Sequence, residues 1–218
     1  MKRFTDDELR ESMLLYAVTD RYWLKEGETL TEKTQEALMG GATFVQLREK
    51  NADEETKCKL GLELKELCTK YKVPFVLDDD VELTLKLDAD GVHVGQHDRP
   101  AAEVRRLIGP DRILGVSAQT VEQALQAEKD GADYLGVGAV FATGSKDDAD
   151  DVDHDTLEAI CRAVKIPVIA IGGISKKNVL QLKDRGLAGV AVISAIYAQE
   201  NITEATAELK TLVKNIVE

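Results

Sequence analysis

A single-domain (β/α)8 barrel, in the α/β class, is the fold predicted for this chain, and three observations predict it. Short apolar runs alternate with stretches of helical period from one end to the other. Glycine or proline stands where each helix has to stop and the next strand has to start. Eight such strand–helix units fit within 218 residues, a usual length for a parallel sheet that closes on itself and leaves no edge. A doubly wound open sheet is the competing architecture. No linker, low-complexity tract or second domain interrupts residues 1–218, with 1–12 read as an N-terminal extension.

In chain order, Asp6-Asp7-Glu8-Leu9-Arg10-Glu11 gives the extension helix-like polarity, suited to capping the barrel bottom. The first strand is expected at 13–19 and its helix near 30–40, ended by Gly41-Ala42, where glycine takes the left-handed backbone that closes a helix. Strand two, 43–48, leads to a helix near 53–71 that carries Cys58 and Cys68 as packing residues and stops at Val73-Pro74. Strand three, 74–78, starts on that proline, which supplies no early backbone donor, and a helix near 80–87 follows. Ala89-Asp90-Gly91 turns into strand four, 90–94, with its helix near 100–108. Strand five, 112–117, a helix near 120–130 and the turn Gly131-Ala132-Asp133 repeat the unit. Strand six, 133–138, is followed by the longest loop and a helix near 154–164, which Ile166-Pro167 ends. Strand seven, 167–171, a helix near 175–185, the turn Gly186-Leu187-Ala188-Gly189, strand eight at 188–193 and a helix near 203–217 complete the series.

With 28 Lys and Arg against 40 Asp and Glu, the formal net charge is -12. The average field of such a molecule repels nucleic acid and anionic membranes, so neither is expected as a partner. Binding of a phosphorylated small molecule then depends on a few placed cations, a metal held by carboxylates, and backbone N–H groups. No apolar stretch reaches the roughly 18 residues of a membrane span. Met1-Lys2-Arg3-Phe4-Thr5 runs into acidic residues rather than the apolar core of a secretion signal, and a cytoplasmic location is expected. Cys58, Cys68 and Cys161 are odd in number and lack Cys-x-x-Cys spacing, which gives neither a disulfide framework nor a zinc site.

The chemistry of a (β/α)8 barrel sits at the C-terminal ends of its strands. Gln46, Arg48 and Lys50 recur at every second residue there, so strand pleating sends all three to one face, and that face has to meet an anion. Asp78-Asp79-Asp80 ends strand three and Asp98 follows strand four. Aspartates from adjacent loops, with diphosphate oxygens and water, suit Mg2+; Asp80 equally suits the N-cap of its helix. Gly172-Gly173-Ile174-Ser175 and Val192-Ile193-Ser194-Ala195 end strands seven and eight, the usual place for a backbone phosphate site, although Gly-Gly also makes a tight turn and Ser175 a cap. The loop after strand six, Phe141 to Asp155, has the length of a lid with Lys146 as its working residue and an acidic run behind it, read as solvated rather than as a second metal site. His93 faces opposite to Val92 and Val94 and is read as a buried, hydrogen-bonded histidine in preference to a general base; His97 and His154 are expected at the surface. No Ser-His-Asp arrangement and no nucleotide-binding glycine loop is present.

Taken together, Leu15-Tyr16-Ala17-Val18-Thr19-Asp20, Val45 to Lys50, Asp79 to Leu83, Asp90 to Gln96, Leu114 to Ser117, Gly131 to Gly138 and Ala170 to Ile174 resemble, in order and spacing, the thiamin phosphate synthase family over nearly the entire chain. The resemblance implies a Mg2+-dependent transferase that joins hydroxymethylpyrimidine diphosphate to a thiazole phosphate. It implies a dissociative reaction in which diphosphate leaves before the thiazole nitrogen attacks. It assigns Gln46-Leu47-Arg48-Glu49-Lys50, Asp78, Ser117 and Lys146 to the pyrimidine diphosphate. Thr143, Gly144, Ser145, Gly173, Ile193 and Ser194 fall to the thiazole phosphate, and Asp79 and Asp98 to the metal. Arg48, Lys50, Ser117 and Lys146 are the groups expected to act on the reacting diphosphate. Assembly into a homo-oligomer is compatible with this reading.

Two positions depart from the family pattern. Asp78 stands where the family commonly has Asn, which alters the charge at a pyrimidine contact. Ala142 stands where Pro usually follows Phe141, and acid replaces base after Lys146. The alternatives are a thiazole tautomerase-like isomerase, which has no need of the diphosphate cations and both metal aspartates, and a non-catalytic phosphate-binding barrel, which has no use for a leaving-group clamp.

Overall fold

The computed structural model describes residues 3–142 and 152–217. Eight parallel strands close into a barrel in sequential order: β1 (Leu15–Val18), β2 (Phe44–Leu47), β3 (Phe75–Asp78), β4 (Gly91–Val94), β5 (Ile113–Ala118), β6 (Tyr134–Val137), β7 (Val168–Ile171) and β8 (Gly189–Val192). The ring closes where Tyr16 of β1 lies beside Phe44 on one side and Ala191 on the other. The expected closed barrel is therefore the observed one. Strands three and seven begin one residue after their prolines, yet Pro74 and Pro167 still serve the sheet: their carbonyls accept the Val45 and Leu135 N–H groups at 3.1 and 2.9 Å.

Helices α1 (Asp6–Ser12), α2 (Leu30–Met39), α3 (Glu54–Tyr71), α4 (Val81–Leu87), α5 (Ala101–Ile108), α6 (Val121–Lys129) and α7 (His154–Ala163) precede two more after β8, α8 (Ser194–Tyr197) and α9 (Ile202–Val217). None of the described helices is long and apolar enough to cross a membrane. In α1, Thr5 and Glu8 form a capping box, and Leu9 and Met13 bury themselves against the barrel interior. The extension thus closes the barrel bottom, as its polarity suggested.

The helix expected near 175–185 is a correction: among these residues the structure has a single 3-10 turn, Val179–Leu182. Asn178 explains the loss. Its amide oxygen accepts the Ser175 N–H at 2.8 Å and its amide nitrogen donates to the Gly173 carbonyl at 2.9 Å, so the side chain holds the first turn in a loop. The left-handed Asp184 then ends the segment before a longer helix can form. The turn at Ala89-Asp90-Gly91 also differs from expectation. Asp88 takes the left-handed conformation there, whereas Gly91 sits inside the sheet, where a Cβ would overlap the Ile113 carbonyl.

Alternation along the strands separates two cores. Leu15, Ala17, Val45, Leu47, Phe75, Leu77, Val92 and Val94 face the helices. Tyr16, Phe44, Val76, Ile113, Tyr134 and Ile169 fill the barrel, with Leu9 and Met13 beneath. The filling is aromatic at its centre, with Tyr16, Phe44 and Tyr134 ring centroids 4.3 to 5.9 Å apart. A packed interior leaves the C-terminal mouth as the place for chemistry.

Candidate active site

A cavity of about 550 Å3 opens at that mouth. On its β2 side the polar stripe meets anions, and these are the chain's own. The Gln46 amide donates to Asp78 Oδ1 at 2.8 Å. Arg48 Nε lies 3.8 Å from Asp78 Oδ2 and is buried without a hydrogen-bond partner among the described residues, an unused donor facing an acidic group. Lys50 Nζ lies 3.3 Å from Asp79 Oδ2. The backbone beneath is held by buried Thr19, whose hydroxyl accepts the Arg48 N–H at 3.0 Å. Leu47 and Glu49 are placed elsewhere. Leu47 packs between barrel and helices, and both Glu49 carboxylate oxygens accept from Arg21 Nε at 2.9 Å.

The three aspartates after β3 separate by role. Asp78 faces Gln46 and Arg48. Asp80 is the N-cap of α4, accepting the Leu83 N–H at 2.9 Å. Asp79 takes a left-handed backbone, which Asp tolerates better than most residues, and its N–H is held by the His93 carbonyl at 2.8 Å. Its carboxyl neighbours that of Asp98. Burial, the neighbouring Asp78 charge and the nearby Asp98 carboxyl together push Asp79 up to about 7. Burial works the same way on Asp98, but the Asp79 carboxyl and the hydrogen bond from the Gly95 N–H outweigh it and leave Asp98 below the ordinary range. A divalent cation would neutralise the two neighbouring carboxylates. Among the described residues no cluster of three or more His, Cys, Asp or Glu able to hold a metal occurs. Two hard carboxylates at the edge of the cavity fit Mg2+, which takes few protein ligands and keeps other oxygens in its shell.

His93 is satisfied on both ring nitrogens: Nδ1 meets Tyr134 Oη at 3.0 Å and Nε2 meets Ser117 Oγ at 2.9 Å. It is hydrogen-bonded, as the strand pattern indicated, but half-buried on the cavity wall rather than buried. His97 is exposed, as expected, whereas His154 is half-buried with its ring edge-on to Phe141, centroids 5.1 Å apart. Ser117 lines the cavity, and its carbonyl accepts the Gln96 amide at 2.7 Å. Tyr16, Tyr134 and Gln96 were not singled out for chemistry from the sequence; the period-two alternation of β1 and β6 does point both tyrosines inward, but pleating alone does not reveal that their hydroxyls meet.

Gly173, Ile193 and Ser194 line the opposite wall. At left-handed Gly173 a Cβ would lie 2.6 Å from the Phe141 and Ala142 carbonyls, so the tight turn and the close approach are one requirement. Thr143, Gly144, Ser145, Lys146 and the acidic residues 147–151 lie outside the described residues. Of the remaining acids in that run, Asp153 caps α7 by accepting the Thr156 N–H at 2.7 Å and Asp155 lies 3.5 Å from Arg185. The structure thus brings Arg48, Lys50, Asp78, Asp79, Asp98, Ser117, Gly173, Ile193 and Ser194 around one mouth, with buried Gln46 behind them on Asp78.

The family model described as thiamine monophosphate synthase matches residues 15–196. A thiamine-phosphate synthase of Clostridium tetani is 49% identical over 195 residues, 89% of this chain and 93% of that protein. One from Ruminiclostridium cellulolyticum is 48% identical over 201 residues, 92% of this chain and 95% of that protein. The solved thiamine phosphate pyrophosphorylase of Pyrococcus furiosus superposes with a TM-score of 0.88 at 42% identity, covering 96% of this chain and 100% of that one. With a match across the barrel and relatives near half identity over almost their full length, the chain belongs to the thiamine monophosphate synthase family, an enzyme family of transferases.

Proposed function

We propose that the protein condenses 4-amino-2-methyl-5-(diphosphooxymethyl)pyrimidine with 4-methyl-5-(2-phosphoethyl)thiazole to give thiamin phosphate and diphosphate, or with its carboxylated form to give the same products and CO2. The observation that carries this reading is the clustering of Arg48 and Lys50 with Asp78, Asp79 and Asp98 at a single mouth, scarce positive charge next to paired carboxylates in a molecule of net charge -12. A surface that bound a phosphate monoester alone would not need both.

In the proposed reaction the C–O bond between the pyrimidine methylene and the diphosphate breaks first, its electron pair leaving with the diphosphate. The thiazole nitrogen then donates its lone pair to the methylene carbon. Such a step needs stabilised leaving-group charge and exclusion of water more than a strong base. Arg48, Lys50 and Lys146 are the groups assigned to the departing oxygens, with Ser117 as a neutral donor. Asp79 and Asp98 would hold Mg2+, which when bound supplies further charge neutralisation on the diphosphate. Gly173, Ile193, Ser194 and the segment Thr143, Gly144, Ser145 are assigned to the thiazole phosphate, which fixes the nucleophile on the opposite wall. Gln46 and Asp78 are left to orient the pyrimidine.

Mixing both substrates with Mg2+ should release inorganic diphosphate, and EDTA should stop the release. Saturating substrates without diphosphate release would overturn the proposal and favour an isomerase acting on the thiazole phosphate alone. Lys146→Ala should cut turnover at least about tenfold, or about 1.4 kcal/mol of barrier.

A further inference from the structure

Four polar side chains connect the closed interior of the barrel to its mouth. Tyr16 Oη lies 2.8 Å from Tyr134 Oη, Tyr134 Oη 3.0 Å from His93 Nδ1, and His93 Nε2 2.9 Å from Ser117 Oγ. Tyr16 and Tyr134 are fully buried, and burial holds both phenols far above their ordinary range, so each carries its proton. Neighbours hold the chain in place: a Cβ on Gly115 would overlap Tyr134 Oη and come within 2.5 Å of His93 Nδ1, and one on Gly136 would lie 3.2 Å from His93 Cε1.

The direction of donation follows from the buried end. Among the described residues Tyr134 is the sole hydrogen-bond partner of the Tyr16 hydroxyl. A buried O–H with one partner donates to it, because a stranded donor is costlier than an acceptor oxygen with a lone pair unused. Tyr134, accepting from Tyr16, directs its own proton to His93 Nδ1. That nitrogen is then the acceptor and Nε2 carries the imidazole proton, which goes to Ser117 Oγ. Among the described residues the Ser117 proton has no acceptor left. Reversing every bond would leave the Tyr16 proton without a partner in the packed interior.

We infer that Tyr16, Tyr134 and His93 act as positioning residues that lock the imidazole as its neutral Nε2–H tautomer and make Ser117 an obligatory hydrogen-bond donor to an anion in the cavity. The final link, donation to diphosphate, rests on the function proposed above; the polarity of the chain does not.

The test is a long-range 1H–15N correlation spectrum of the full chain with labelled histidine, the His93 signals assigned by their loss in His93→Gln. Nε2 protonated and Nδ1 bare is the expected pattern at neutral pH, and an Nδ1–H tautomer would overturn the inference without any variant needing to fold. Calorimetry with inorganic diphosphate and Mg2+ addresses the last link. Ser117→Ala should bind about tenfold more weakly, the range of a hydrogen bond to a charged group. Tyr134→Phe, or Tyr16→Phe if the former does not fold, should weaken binding about threefold, and combining it with Ser117→Ala should add nothing. Additive losses would overturn the relay. No diphosphate binding by the wild-type protein would overturn the proposed function and the last link together, while the spectrum still decides the polarity.

Discussion

Lys50 Nζ lies 3.3 Å from Asp79 Oδ2, so a candidate clamp for the leaving diphosphate is ion-paired with a candidate ligand for its metal. Each group engages the other's charge. A cation that takes Asp79 releases Lys50, and an anion that takes Lys50 releases Asp79. Binding of the two should therefore be coupled.

That coupling is measurable. Saturating Mg2+ should tighten inorganic diphosphate at least about fivefold, and diphosphate should tighten Mg2+ by the same factor, as linkage requires. Lys50→Met should reduce the factor on both sides. Independent binding in isothermal titration calorimetry would refute the arrangement.

Asp79 also sets a pH dependence. In the folded chain burial and the neighbouring carboxylates push it up to about 7, against about 3.9 for an unperturbed Asp. Between these values the folded state keeps a proton that the unfolded state has lost, so this group's contribution to stability falls as pH rises through the window. In EDTA the wild-type Tm should drop more between pH 5 and pH 8 than that of Asp79→Asn. Equal drops would remove the argument. Because the metal displaces the proton, Mg2+ affinity should rise up to about pH 7 and then level off.

Asp79→Asn should also lower turnover at least about tenfold, about 1.4 kcal/mol of barrier. Steady-state diphosphate release at saturating Mg2+ is the measurement. An unchanged rate would take the metal assignment with it.

At the neighbouring position the expected sign is opposite. Asp78 engages Gln46 and faces the buried Arg48 Nε, so its charge competes with any substrate anion for the same cation. Asp78→Asn should tighten the pyrimidine diphosphate by about threefold to tenfold, the range expected for removing one partly buried like charge. Equal or weaker binding counts against the competition.

Gly115→Ala tests the packing behind the site. The added methyl would overlap Tyr134 and press on His93, at a cost of about 1–3 kcal/mol for overpacking. Urea unfolding would report it as a lower midpoint at constant slope. A neutral effect would mean that the Tyr134–His93 pair is loosely held.

The closed barrel, its eight strands, the capping extension and the face shared by Gln46, Arg48 and Lys50 were legible in the sequence. Each is a consequence of local pattern, with short apolar runs buried on both faces, helix stops at glycine or proline, and polar side chains two residues apart on one face. The helix expected near 175–185 was misread because a single side chain, Asn178, competes with the backbone over three to five residues, and periodicity carries no sign of it. The pairing of Arg48 with Asp78, of Lys50 with Asp79, the approach of Asp79 to Asp98, and the line from Tyr16 to Ser117 were decided by tertiary structure. These contacts span strands up to 118 residues apart in the chain, and closing the ring is what sets their distances. Sequence determined which groups reach the mouth of the barrel; only the closed sheet determined which of them meet.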